Sequence, residues 1–487
     1  MMIFWILLAL VLMLLAVLVL RALFCRAPET AAQPSVEKPD TSAYAEHLSQ
    51  AIAIPTVSYA DPAQTDWEAF RRFHRFLEET YPLVHQHLEK EVVTDYSLFY
   101  HWKGQDSSLP PMGLIAHMDV VPIAPGTEGN WQVPPFSGRV QDGFIWGRGA
   151  VDMKCQLIAI METTEALLKE GFRPKQDIYY IFGHNEEVMD ANGGGSVAVA
   201  ALLKERGIML DSILDEGNFF QKADYLGSDQ MAGMICVVEK GYSELALTVR
   251  DHGGHAARPP KSSALGQVAR VAARLEETTL PLRLTEPLKE QIARLAPGLP
   301  FGRRLMLCNL WLFKGIFLRQ MAKKAGIPRA MVTTTVAVTM ASGSNAPNVL
   351  PGEASVIVNV RPLPGGMSLQ ELVTFIQKMA DNPRLEVKVA RALPASPIAP
   401  CRGEAFERVC RAAKAAMPSA IPVPAIFLGG TDSGFFHQVV KKVYRFSPIC
   451  PTAEEAAGIH AANEKISLEN LEKMLTFFKC YISDMIA

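Results

Sequence analysis

The stretch DIYYIFGHNEEV, residues 177–188, decides the fold. Its first half is a continuous apolar run closed by Gly183, the pattern of a strand buried on both faces. Its second half sets two carboxylates, Glu186 and Glu187, side by side where the chain leaves that strand. Neighbouring carboxylates repel, and partial burial raises the cost unless a cation or a shared proton offsets it. A buried strand ending in such a pair poses the question of a metal.

Outward from this stretch, strand and helix signals alternate. MGLIAH (112–117) reads as a strand and MKCQLIAIMETTEALLKEG (153–171) as a helix stopped by Gly171. GGSVAVAALLKERG (194–207) is a second helix, stopped by Gly207, and DSILDEG (211–217) a further strand. Strands separated by helices predict an α/β domain with a mostly parallel sheet covered by helices on both faces. Near Tyr242 the pattern changes. YSELALTVR (242–250) and ASVIVNVRP (354–362) alternate apolar and polar positions, as antiparallel strands with one exposed face do. Residues 242–363 are therefore expected to form an inserted α+β lid, with 43–241 and 364–487 as the two parts of the catalytic domain. The α/β pattern resumes through LGGTDSGFF (428–436) and VYRFSPI (443–449), and the chain ends in a helix.

The 487 residues exceed one comfortable core, consistent with this two-part reading. A net charge of −2 and the lack of any long basic block give no electrostatic ground for nucleic-acid binding. The eight cysteines are scattered without a Cys-x-x-Cys pair, so free thiols are expected. The first twenty residues carry no charged side chain and are long enough to cross a bilayer core of about 30 Å. Residues 1–24 are read as a single transmembrane anchor and the Pro- and Ala-rich residues 25–42 as a linker. A cleaved signal peptide is the rival, but no small-x-small site precedes Arg21. Arg21 and Arg26 favour a catalytic part facing the cytoplasm, although two charges leave the side of the membrane open.

The polar residues fall in a regular pattern on this map. His117 and Asp119 follow one expected strand, Glu186 and Glu187 the next, Asp215 and Glu216 the one after, and His460 a later one. In open α/β sheets that edge is where ligands bind. Taken singly each has an ordinary explanation: Asp152 is placed as a helix N-cap would be, and Arg361 as a strand-end surface charge. Together, two histidines and at least three carboxylates make a donor set for hard or borderline divalent ions, and a bridging carboxylate would let two ions share it.

LIAHMDVVP, WGRGAVDMK, GHNEEV, LDEG, GGHAARPP, NVLPGEASVIVNVRP, LGGTDSGFF and GIHAANE, in that order, resemble the motifs of the dinuclear zinc aminoacylase and carboxypeptidase family. The likeness is strongest to its carboxypeptidase S and N-acyl-amino-acid amidohydrolase branch and runs from about residue 43 to the end. The resemblance implies two zinc ions. His117 would bind one, with Asp119 orienting its ring; Asp152 would bridge both; Glu187 and His460 would bind the other. Either Asp215 or Glu216 would complete the first site, and the peptide after Asp152 would be cis. Glu186 would be the general base and acid, and His255 the oxyanion donor, supplied in several relatives by a dimer partner. Asn348 and Arg361 would hold the substrate carboxylate, with Gly429, Gly430 and Thr431 as a facing backbone loop. Asn185, Val188, Met189 and Asp190 around the glutamate pair, and Met153 after Asp152, depart from the usual family pattern.

The expected function is hydrolysis of peptides or N-acyl amino acids bearing a free carboxylate. The alternatives are a non-catalytic binding protein on the same scaffold, or a serine hydrolase using Ser433, which lacks the G-x-S-x-G spacing. Residues 302–326, apolar with basic edges, are either a buried lid helix or a surface for membrane or acyl chain.

Overall fold

A computed structural model describes residues 1–28, 38–188 and 194–484. Half of the expected linker, residues 29–37, lies outside these residues, as do Met189 and Asp190.

The main sheet takes nine strands. In chain order they begin with β1 (Glu89–Val93), β2 (Ser97–Trp102), β3 (Met112–His117), β4 (Ile178–Gly183), β5 (Leu210–Asp215), β6 (Phe220–Lys222) and β7 (Met231–Glu239). Four strands of a second sheet follow: β8 (Tyr242–Arg250), β9 (Thr335–Ser342), β10 (Glu353–Arg361) and β11 (Leu385–Leu393). The chain then returns with β12 (Ile421–Phe427) and β13 (Val440–Arg445). The main sheet runs β1-β2-β4-β3-β5-β13-β7-β12, with β6 paired to β7. It is mixed rather than mostly parallel: β3, β4, β5 and β13 form a parallel centre, but β1, β2 and β6 pair antiparallel, as does β13 with β7.

The continuous apolar runs have the cause assigned to them. Leu114, Ala116, Tyr180 and Phe182 join one core, while Ile115, Tyr179 and Ile181 join another on the opposite face. Helices close both. Three relevant here are α1 (Met2–Leu23), α2 (Lys154–Lys169) and α3 (Gly195–Glu205), of which α2 seals the first face and α3 the second. A fully buried Leu or Phe contributes about 1.5–3 kcal/mol. Two-sided burial therefore fixes this sheet more firmly than any of its loops.

The second sheet, β9-β10-β8-β11, is wholly antiparallel, and its central strands β8 and β10 alternate between buried and partly exposed residues as their sequence does. Its core extends past residue 363 to Leu372, Ile376 and Leu385, so the boundary expected there falls inside the unit. Conversely, Leu288, Ile292, Leu295, Leu307 and Phe317, within the expected lid, pack into the main core. The two bodies meet at 239–242, 361–363 and 393–396, where Gly241 N donates to Pro362 O, Ser396 N to Glu239 O and Lys240 N to Phe427 O, and the chain also passes between them at 280–288 and 332–336. Helix α1 spans 22 residues, about 33 Å, and is the one helix among the described residues apolar and long enough to cross a membrane.

Candidate active site

Parallel pairing brings the distant motifs together. His117 lies opposite Gly183 in the β3–β4 register, and Leu114 opposite Leu214 in β3–β5, so three strands end at one edge. The loops beyond carry the charged side chains.

His117 is buried, and its Nδ1 lies 2.9 Å from the Asp119 main-chain oxygen, which directs Nε2 toward the carboxylates. That Nε2 lies 3.2 Å from Asp152 Oδ1 and 3.4 Å from Glu216 Oε1. On the other side of Asp152, His460 Nε2 is 3.0 Å from Oδ2 and 3.1 Å from Glu187 Oε2. The result is two ligand groups, His117–Asp152–Glu216 and Asp152–Glu187–His460, which share Asp152. The peptide between Asp152 and Met153 is cis.

Asp215 and Glu216 separate cleanly. Asp215, buried, accepts backbone N–H groups of Glu216 at 2.8 Å and Ser433 at 3.0 Å, and so ties β5 to the 431–433 loop. Glu216 faces His117. Asp119 likewise works on backbone: its carboxylate accepts from Ser58 Oγ at 2.6 Å and from the N–H groups of Glu186 and Glu187, both at 3.2 Å. It thereby holds the glutamate pair in place.

The electrostatics bear out the crowding. Burial pushes Glu216 up to about 8, with help from Asp152. Burial, with Glu216, Asp432 and Glu187 nearby, also raises Glu186 well above the carboxylate range, whereas Glu187 is raised by burial against the opposing pull of His460. Hydrogen bonds donated to the Asp152 and Glu187 carboxylates lift His460 to about 10. Glu187 Oε1 is buried without a hydrogen-bond partner among the described residues. Converging carboxylates, imidazole nitrogens aimed between them and an orphaned buried oxygen together fit a divalent ion at each group.

Glu186 belongs to neither group and instead lines a cavity of about 310 Å3 with Arg361, Gly429, Gly430 and Thr431. The remaining wall is largely apolar and includes Leu393, Pro394 and Phe435. Arg361, half-buried, stands 4.6 Å over the Tyr242 ring and bonds Asn359 Oδ1 at 3.2 Å. His255 and Asn348 do not join this assembly. They sit on an exposed ribbon in which His255 pairs with Val349, and Ala256 N donates to Asn348 O. Ser433 is buried with its hydroxyl 2.6 Å from that of Thr431, and no histidine is bonded to it among the described residues.

Several supporting residues carry no obvious sequence signal. Glu464, fully buried, accepts from Arg148 Nη1 at 2.7 Å and from the N–H groups of Gly149, Val151 and Asp152 at 3.1, 2.9 and 3.1 Å. Glu239 accepts from Thr431 N at 2.8 Å and from its hydroxyl at 3.0 Å, and pairs with Arg445 Nε at 2.8 Å. The one sequence signal available for either is that Glu464 falls inside the GIHAANE motif.

Comparison with known proteins adds independent findings. The family described as Peptidase family M20/M25/M40 matches residues 113–484. The chain is 34% identical over 445 residues to the mouse N-fatty-acyl-amino acid synthase/hydrolase PM20D1, covering 90% of this chain and 87% of that protein. It is 31% identical over 440 residues to the probable carboxypeptidase S-like 2 of Dictyostelium discoideum, covering 89% and 83%. Among solved structures, an M20 family metallo-carboxypeptidase from Sulfolobus solfataricus superposes with a TM-score of 0.65 at 15% identity, over 91% of this chain and 99% of that one.

Proposed function

The chain belongs to peptidase family M20/M25/M40, metal-dependent hydrolases of amide bonds, and from that premise we propose a dizinc enzyme that cleaves peptides or N-acyl amino acids bearing a free carboxylate. The observation that carries the reading is the pair of ligand groups sharing Asp152 beside Glu186, at the mouth of a cavity with an arginine on its wall. His117, Asp152 and Glu216 would hold one ion and Asp152, Glu187 and His460 the other. When bound, the ions supply Lewis-acid polarisation of the scissile carbonyl and acidify water toward a pKa of about 7.

The chain's own groups do the rest. Glu186, free of the ligand groups, takes a proton from the attacking water and passes it to the leaving amine; its place on the cavity wall beside both groups supports that role. Arg361 bonds the substrate carboxylate through its planar fork, and the apolar wall receives the neighbouring side chain or acyl group. His255 serves as oxyanion donor by reaching a second copy of the chain. Its exposed ribbon supports that arrangement, as does β9, an open edge strand with Met340 66% exposed. Helix α1 anchors the enzyme in the membrane. The names of the mouse and Dictyostelium relatives support the substrate class.

The test uses full-length protein in detergent, loaded with zinc and assayed against dipeptides and N-fatty-acyl amino acids. About two zinc ions per chain are expected. Glu186→Gln should keep both ions and lose about 10²-fold or more in kcat. Full activity in that variant refutes its role, and activity without bound metal refutes the whole reading.

A further inference from the structure

Helix α1 is packed only near its end. Residues 1–17 are exposed throughout, whereas Leu18 and Ala22 are buried. The helix packs against α4 (Phe301–Leu307), which the chain follows with α5 (Leu310–Lys323). Asn309, fully buried in the break between these helices, donates to Leu18 O at 3.0 Å and to Leu305 O at 2.8 Å. Its own oxygen accepts from Trp311 Nε1 at 3.2 Å. Arg21 Nε donates to Cys308 O at 3.3 Å. The exit of the apolar helix is thus clamped by hydrogen bonds to the catalytic body.

Beside the clamp lies an open groove of about 880 Å3, walled by Leu20 and Phe24 of the N-terminal segment and by Leu307, Leu310 and Trp311. Four cations, Arg21, Arg26, Lys289 and Lys314, line it as well. Lys289 faces Glu286 at 3.3 Å, but Arg21, Arg26 and Lys314 have no carboxylate partner among the described residues. Trp311, Leu312 and Ile316 on α5 are 58%, 46% and 49% exposed. An apolar surface continuous with the candidate span and bordered by unpaired cations is complementary to an acyl chain with an anionic head.

We propose that this groove binds an acidic phospholipid of the leaflet in which α1 ends, with the phosphate among Arg21, Arg26 and Lys314 and an acyl chain along Trp311. The inference rests on α1 being a membrane span. A phospholipid is chosen because the groove opens at the end of α1, the depth at which headgroups stand, and because cations near such a surface attract acidic lipid.

Full-length protein carrying Trp5→Phe, which silences the span, is reconstituted into vesicles containing brominated phosphatidylserine or brominated phosphatidylcholine at equal mole fraction. Quenching of Trp311 is the difference from the same protein with Trp311→Phe added. Phosphatidylserine is expected to quench at least about threefold more effectively. Arg26→Gln with Lys314→Gln should abolish that preference while hydrolysis of a soluble dipeptide is unchanged. Equal or absent quenching, in protein retained through an alkaline carbonate wash, overturns the lipid site and leaves the span standing. Release by the wash overturns both. Quenching indifferent to headgroup but displaced by a soluble N-acyl amino acid overturns the lipid site in favour of an amphiphilic substrate.

Discussion

Replacing Glu464 by Gln isolates a residue that touches neither ligand group's metal-facing atoms yet holds both groups in place. Its Oε1 collects the N–H groups of Gly149, Val151 and Asp152, and its Oε2 meets Arg148 Nη1 at 2.7 Å. In Glu464→Gln the amide oxygen keeps the three backbone donors, and its NH2 is then forced against the Arg148 guanidinium, donor to donor. Arg148 is 3% exposed and loses its only carboxylate among the described residues, a situation that costs about 3–5 kcal/mol. The Trp131 ring 5.4 Å from its guanidinium is there in parent and variant alike and leaves the difference unchanged. A loss of about 3 kcal/mol or more follows. Because Asp152 N is one of the three donors, displacement of this loop should also weaken zinc binding by about 10–100-fold. Urea unfolding read by tryptophan fluorescence gives the first quantity, and competition with a chromophoric chelator the second. The double variant with Arg148→Met should lose less than the single one, by a coupling of at least about 1 kcal/mol. Stability within about 0.5 kcal/mol of the parent, together with unchanged zinc affinity, would refute the reasoning.

Other consequences are as open to test. Arg361→Ala should raise KM about 10–100-fold for substrates with a free carboxylate, with kcat little changed, and leave amidated substrates unaffected. An equal effect on both substrate classes would remove Arg361 from carboxylate binding. Glu216→Gln should lower zinc content toward about one ion per chain, whereas Asp215→Asn should keep two and lose about 1–3 kcal/mol of stability; plasma emission and urea unfolding distinguish them. His74 and His437 are pushed down to about 4, each mainly by burial. Their folded pKa values lie below the unfolded value, so the unfolded chain binds the extra protons, and stability is full above about pH 6.5 and lost as pH falls toward 4. Allowing for partial exposure, the loss is about 1–2 kcal/mol apiece. It should shrink in His74→Gln with His437→Gln, and an unchanged acid profile in that variant would sink the assignment.

The strands at 112–117, 178–183 and 211–215 are legible because burial on both faces leaves a continuous apolar run, and the residues of the two candidate ligand groups because parallel neighbours end at the same edge. Strand direction was not. An apolar run such as that of β2 reads the same whether its partner runs with it or against it, so the antiparallel margin of the sheet stayed hidden. The second body's limits failed for a related reason. Leu288 and Ile292 advertise an apolar helix face, but only the assembled structure decides which body takes it, and β11 lay beyond a motif that seemed to close the unit. Asp215 and Glu216 are adjacent, and composition cannot say which one turns toward His117. Glu464 is a lone acid in a loop, and its role emerges only when the 148–152 turn arrives from more than 300 residues away.

The chain crossings between the two bodies have a mechanical consequence. The segments at 239–242, 361–363 and 393–396 that join them also supply Glu239, Lys240, Tyr242, Arg361 and Leu393 to the cavity wall. Pocket shape and the angle between the bodies are therefore a single coordinate rather than two. A ligand that fits one pocket shape better selects one angle, and by the same linkage anything that tilts the second body retunes the pocket. In engineering terms, substitutions in these joining segments that never meet the substrate are expected to shift substrate preference.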